Sequence, residues 1–183
     1  MSKKEGLSQT SFFSIGQDGA GFRLFGTRDG LNKFDGYQFK IYRNDTTQNS
    51  LAGNDIRALY ADTMHHRLWA GTISGLSCYD PSTDKFQNYY HDEKDPSSLT
   101  SNVIRHIYRD LKGRLWVCTS VGLSLFDEKT NSFERLYFAS NNLPHQGSND
   151  IEVILEDANG QLIFGTVNGL YALQETESTY SFN

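Results

Sequence analysis

Cysteine, proline and long apolar runs are all scarce in this chain, and each scarcity excludes something. Two cysteines among 183 residues cannot make a disulfide framework. Cys78 and Cys118 fall at different positions of the repeat described below, so both are expected as small buried hydrophobes and not as a bridge. No apolar run reaches the roughly 18 residues that a membrane helix needs. The opening Met1-Ser2-Lys3-Lys4-Glu5-Gly6 has no apolar core and is no signal peptide. Basic residues are outnumbered, 17 Lys and Arg against 22 Asp and Glu, with a pI near 5.5. The charges are interspersed, so the basic stripe of a nucleic-acid groove is missing. No window of about 11 residues sustains the i, i+3, i+4, i+7 apolar pattern, so no long helix is expected.

What is present is a repeat. A threonine that precedes a Gly-Leu pair occurs in Gly26-Thr27-Arg28-Asp29-Gly30-Leu31 and in Gly71-Thr72-Ile73-Ser74-Gly75-Leu76. It returns in Cys118-Thr119-Ser120-Val121-Gly122-Leu123 and in Gly165-Thr166-Val167-Asn168-Gly169-Leu170. Residues 27, 72, 119 and 166 are 45, 47 and 47 positions apart, a period that marks a repeat architecture. Upstream, Asp18, Asp62, Asp110 and Asp157 each precede an apolar pair: Leu24-Phe25, Leu68-Trp69, Leu115-Trp116 and Leu162-Ile163. Apolar residues stand six and three positions before each aspartate: Phe12 and Ile15, Ile56 and Leu59, Ile104 and Ile107, Ile151 and Ile154. Downstream come Phe34-Asp35, Tyr79-Asp80 and Phe126-Asp127, then a turn and another aromatic. In the fourth copy this step has weakened to Leu173-Gln174 and Tyr180.

Each unit reads as four short strands, rich in β-branched and aromatic residues and separated by turn chemistry. Asp-x-x-Gly makes the first hairpin, with Asp accepting backbone hydrogen bonds and Gly tolerating positive φ. Four antiparallel strands in roughly 45 residues is the pattern of a β-propeller blade. The predicted fold is therefore all-β, four blades over 8–45, 53–92, 100–138 and 148–182. A β-solenoid would use shorter coils, and a β-sandwich needs no period. Radial stacking would bury Trp69, Trp116, Leu24 and Ile163 between sheets.

Chemistry is sparse. The histidines, His65, His66, His91, His106 and His145, lack i, i+4 spacing or cysteine partners for a metal. His65-His66 reads as turn decoration, and His106 lies on an inner strand where it can face a central channel. The repeated aspartates and threonines read as structural, and Lys3-Lys4 and the charged run 91–95 as solvated surface. No catalytic residue, cofactor or metal is expected. A propeller lyase or glycosidase would need paired acids on the central face, and here the acids sit in repeated turns.

The two ends of the strands differ. The Asp-x-x-Gly and Asp-Pro-x-Thr turns share one face and repeat. The other face carries the blade-to-blade connections 43–50, 91–101 and 139–150 and the turns from second to third strand, and these vary. Variation on a rigid scaffold is where binding specificity is placed. The candidate ligand-binding residues are Arg28, Asp29, Ser74, Ser120 and Asn168, with Tyr60 or Tyr108 to stack on a sugar ring.

The segment Asn102-Val103-Ile104…Asp110…Gly113-Arg114-Leu115-Trp116-Val117-Cys118-Thr119…Gly122-Leu123-Ser124-Leu125-Phe126-Asp127 resembles the two-component regulator propeller repeat. The opening Glu5-Gly6-Leu7-Ser8-Gln9…Phe25-Gly26-Thr27-Arg28-Asp29-Gly30-Leu31-Asn32-Lys33-Phe34-Asp35-Gly36-Tyr37 is similar to that family's first blade. The resemblance runs from residue 5 to about 182. It implies the extracytoplasmic sensor of a bacterial hybrid two-component system, a periplasmic, non-enzymatic receptor whose ligand is an oligosaccharide. Such receptors carry many more repeats, then a membrane helix and a histidine kinase, so the chain reads as an N-terminal part of one. A protein-interaction or purely structural propeller module is the alternative. Cys118 departs from the repeat's glycine. An open arc of four blades would expose Phe13, Phe22, Leu24 and Phe25 at one end and Ile163, Phe164 and Tyr171 at the other, and self-association is expected from such patches, with a closed four-bladed monomer as the alternative.

Overall fold

The computed structural model describes residues 6–45, 49–138, 149–175 and 180–182, which form strands joined by turns and loops. Lys3-Lys4, His145 and most of the connection 139–150 lie outside the described residues. Two compact units, Met1–Tyr89 and Tyr90–Asn183, each hold two four-stranded antiparallel sheets. In the first unit one sheet is β1 (Phe12–Gln17), β2 (Arg23–Thr27), β3 (Gly30–Phe34) and β4 (Phe39–Tyr42). The other is β5 (Ile56–Asp62), β6 (Arg67–Thr72), β7 (Leu76–Asp80) and β8 (Lys85–Tyr89). The second unit holds β9 (Ile104–Arg109), β10 (Leu115–Thr119), β11 (Leu123–Asp127) and β12 (Ser132–Leu136). Its last sheet is β13 (Ile151–Glu156), β14 (Leu162–Thr166), β15 (Gly169–Glu175) and β16 (Tyr180–Phe182). Strands pair in chain order in every sheet, the meander of a propeller blade. The weakened fourth copy keeps its last strand, with Leu173 opposite Phe182.

The repeated residues are turn chemistry. Asp18 Oδ1 accepts from the N–H groups of Ala20 and Phe22, and Asp157 Oδ1 from those of Asn159 and Gln161. Gly21, Gly113 and Gly160 follow three residues after their aspartates at φ of 88°, 81° and 80°. The second repeat has one residue more here, and His66 takes the left-handed place at φ 52°. Histidine is one of the side chains that tolerates it, which accounts for His65-His66 as part of the turn. Each repeated threonine clamps the next turn. Thr27, Thr72, Thr119 and Thr166 donate from Oγ1 to the carbonyls of Gly30, Gly75, Gly122 and Gly169. The same oxygens accept the N–H of the residue two further on.

The loop that leaves one sheet covers the outer edge of the next. Asn49 Oδ1 accepts the N–H of Phe86 on β8, and Asn88 Nδ2 donates to the Ser50 carbonyl. In the second unit the Ser97 carbonyl accepts the N–H of Phe133 on β12. Arg135 then pins that loop, donating to the carbonyls of Asp92, Asp95 and Ser98. A covered edge cannot template unwanted strand pairing.

Each unit closes its own core between its two sheets. In the first, Leu24, Leu31 and Tyr42 meet Ile56, Leu68, Ala70, Tyr79 and Phe86. A polar latch seals the rim. Asp84 Oδ1 accepts from Tyr42 at 2.9 Å and Tyr79 at 2.8 Å, and Lys40 Nζ donates to Oδ2 at 2.7 Å. The Lys40 bond, then Tyr79, hold the Asp84 carboxyl down at about 2, while burial pushes Tyr42 up to about 12. In the second unit Trp116 meets Phe164 and Tyr180 edge-on and donates from Nε1 to Asp110 Oδ2 at 2.8 Å. Arg114 joins the same carboxylate to Glu175.

Trp69 and Trp116 are fully buried, and both cysteines are buried and unbridged. Burial alone raises the Cys118 thiol pKa. Three of the side chains expected at open ends are instead interior: Leu24, Phe25 and Phe164. Leu24 stands three residues before Thr27, as Trp116 stands before Thr119, so it and not Phe25 turns to the neighbouring sheet. Among the described residues, exposed apolar side chains on the first and last sheets include Phe12, Phe13, Ile15, Val153, Leu155 and Leu170.

Candidate functional site

Every inner strand carries an extra residue at the same place. Register breaks between Phe12 and Ser14, between Ile56 and Ala58, between the partners Ile104 and His106, and between Ile151 and Val153. The bulged residues are Phe13, Arg57, Arg105 and Glu152. A bulge re-aims a side chain away from the ladder. All four stand at the end of the inner strand that pairs with the threonine turn. The apolar spacing of three in these strands held the clue. A strand alternates with period two, so Ile151 and Ile154 share one core only because Glu152 is looped out.

In the first unit the structure brings Arg28, Asp29 and Ser74 to one end of the two sheets. The turn of Arg28 and Asp29 and the turn of Ser74 both bond the segment Asn54-Asp55: Gly30 N–H to the Asn54 carbonyl at 2.8 Å, and Ile73 N–H to that of Asp55 at 3.3 Å. Asp29 is held by Arg43 through two bonds of 3.0 and 2.9 Å. Arg57 pairs with Asp55 at 2.7 Å, and its guanidinium lies 4.4 Å from the centre of the Phe13 ring. The Arg28 guanidinium lies 5.2 Å from the same ring.

In the second unit Ser120 and Asn168 occupy the equivalent turns. Ser120 Oγ lies 3.1 Å from Ser101 Oγ, and its N–H donates to the Val103 carbonyl. The Asn168 N–H donates to Thr166 Oγ1, and its side chain is exposed. Beside them Arg105 makes two bonds of 3.1 Å to Asp150 and approaches Glu152 at 3.5 Å. The Asp150 bond raises the Arg105 pKa. His106, next on the strand, is half-buried, and desolvation lowers its imidazole pKa.

The stacking residues lie elsewhere. Tyr60 sits opposite Trp69, and Tyr108 donates to Glu156 at 3.2 Å against the core, both toward the far ends of their strands. Neither ring is at the turns. The far end of the first unit also holds a cleft of about 1180 Å³, lined by the turns that carry Asp18, Asp62 and Asp80, with Lys33, Arg67 and His66. None of Arg28, Asp29 and Ser74 lines it. Its three carboxylates are engaged: Asp18 with Lys33, Asp62 with His65, and Asp80 with Ser82 and Thr83.

No family model matches the chain. A stretch of 41 residues is 63% identical to Histidine kinase P4 of Formosa agariphila, covering 22% of this chain and 3% of that protein. The extracellular domain of a protein described as a hybrid two-component system of B. thetaiotaomicron matches with a TM-score of 0.75 and 27% identity. That match covers 98% of this chain and 31% of the other. The WD40 β-propeller domain of Doa1 matches with a TM-score of 0.65 at 13% identity, over 93% of this chain and 52% of that one, a likeness of fold alone. These findings bear out the resemblance to two-component regulator propeller repeats. The chain spans less than a third of the two-component proteins it matches. Among the described residues no helix is long and apolar enough to cross a membrane.

Proposed function

We propose that the chain, which resembles two-component regulator propeller repeats, is a non-catalytic, ligand-sensing stretch of a two-component receptor, with an oligosaccharide as ligand and the periplasm as its compartment. The observation that carries this reading is the likeness to an extracellular sensor domain over 98% of the chain. The blades are taken as 8–45, 53–92, 100–138 and 148–182. Arg28, Asp29, Ser74, Ser120 and Asn168 are the proposed contacts, their hydroxyl, amide and charged groups suited to sugar hydroxyls. Binding is to be measured by titration calorimetry with a panel of plant cell-wall and host-glycan oligosaccharides. The combined variant Arg28→Ala, Asp29→Ala, Asn168→Ala is expected to weaken the best binder at least tenfold, and unchanged affinity would remove these residues from the site. Self-association through the two open blade edges is proposed as well, with Phe13 and Phe22 on the first sheet and Ile163 and Tyr171 on the last. Light scattering is expected to give a mass that rises with concentration, and a constant 20.7 kDa contradicts it.

A further inference from the structure

Phe13, Arg28 and Arg57 form an arrangement that the fold does not need. Phe13 is a bulged residue of β1, beside β5, and 40% of its surface remains exposed. Two guanidiniums share that one ring, at 4.4 and 5.2 Å from its centre. Arg57 has a carboxylate partner in Asp55. Among the described residues Arg28 has none, and it is exposed. Arg28 is therefore an exposed guanidinium, positioned beside the ring, that can accept an anion. The ring fixes the guanidinium planes by cation–π contact, which cuts the ordering cost of binding. Asp29, the nearest acid in sequence, is turned to Arg43 by its two bonds and does not neutralise Arg28.

We propose that Phe13, Arg28 and Arg57 make an anion-accepting subsite, and that the sugar recognised at this end of the first unit carries a carboxylate or sulfate group. The inference rests on the oligosaccharide reading and specifies its ligand class. A guanidinium presents two parallel N–H groups to a carboxylate or sulfate, while Arg57 keeps Asp55 and remains oriented.

The test is titration of the whole chain at low salt with three probes: a galacturonic acid trimer, a sulfated galactose trimer and neutral galactotriose. At least one anionic probe is expected to bind tenfold or more tighter than the neutral trimer, and to weaken as sodium chloride rises. Which of the two binds separates a carboxylate from a sulfate ligand. Arg28→Gln, exposed and outside the core, is expected to reduce that preference at least fivefold, and Arg57→Lys, which keeps the charge and loses the fork, by less. An anionic probe that binds no better than galactotriose, or whose binding is untouched by Arg28→Gln, overturns the subsite while leaving the oligosaccharide reading in place. If none of the three binds, the subsite falls, and the wider glycan panel decides the reading separately.

Discussion

The two units are built from one repeat, yet they fill its places differently. Three residues before the threonine the first sheet of the first unit has Leu24 where the first sheet of the second has Trp116, and one residue before it Gly26 where the other has Cys118; the later sheets carry Trp69 with Gly71 and Ile163 with Gly165. A thin middle strand in the first unit is compensated at the rim, where Tyr42, Tyr79 and Phe86 pack and the Asp84 latch closes. In the second the bulk lies mid-strand, and the rim is an ion network of Asp110, Arg114 and Glu175. The bulged residues differ in the same manner. Arg105 is held by two carboxylates, Asp150 at 3.1 Å and Glu152 at 3.5 Å. Phe13 leaves a ring at the surface beside two cations, Arg57, which is paired with Asp55, and Arg28. Packing differences of this kind conserve the fold, while the difference at the bulge changes what the surface can recognise.

The largest expected effect is on the mid-strand core. Trp116→Ala removes a fully buried indole and should cost about 3–5 kcal/mol, against about 2–4 kcal/mol for Leu24→Ala at the same repeat position. Denaturant unfolding compares them, and equal, small losses would show that the two cores do not differ as described. Asp110→Asn comes next. The carboxylate is buried and holds both Trp116 and Arg114, so the loss should be roughly 1–3 kcal/mol. Asp157→Asn in the equivalent exposed turn should leave the midpoint nearly unmoved.

The position before the threonine is filled differently in the first sheet of each unit. A methyl at Gly26 would meet Ile56 Cγ2 at 2.7 Å as well as the Ser14 hydroxyl, so Gly26→Ala should destabilise by about 1–3 kcal/mol. Cys118→Gly should also destabilise, because here the core fills the place that glycine leaves empty. Thermal melts that rank Gly26→Ala as neutral would contradict the close approach of β2 and β5.

The latch gives the smallest stability effect, and it depends on pH. The folded-state pKa of Asp84 is depressed from 3.8 to about 2, so its contribution is present above the unfolded value and lost as pH falls from about 4 toward 2. The carboxylate is half exposed, so screening keeps this contribution modest. Wild type is expected to lose more stability over that window than Asp84→Asn, and parallel acid profiles would deny the latch.

Much of this was legible in the residues because it rests on local chemistry. The period, the threonine clamps and the aspartate turns are interactions within a few positions, and the four-stranded sheets follow from them. Which side of a terminal strand is covered depends on the neighbouring sheet. Phe25 and Phe164 were therefore misassigned as open surface, while Leu24, named both for the stacked core and for an open end, is in the core, where the threonine register places it with Trp116. Tyr60 and Tyr108 failed for a related reason: position along the strand, and not strand identity, decides which end a ring serves. The turns of Arg28, Asp29, Ser74, Ser120 and Asn168 were readable as variable positions. The bulged residues beside them were hidden until an apolar spacing of three is seen to be incompatible with an unbroken strand.

The comparison between the units is tested most directly at their two bulged arginines. Arg57→Gln and Arg105→Gln are to be titrated with the galacturonic acid trimer under one low-salt condition. The account predicts that Arg57→Gln, which removes one of the two cations sharing the Phe13 ring, weakens binding at least tenfold while Arg105→Gln, which removes a cation held by Asp150 and Glu152, stays within about twofold of wild type. Equal losses in the two variants, or a loss confined to Arg105→Gln, would contradict it.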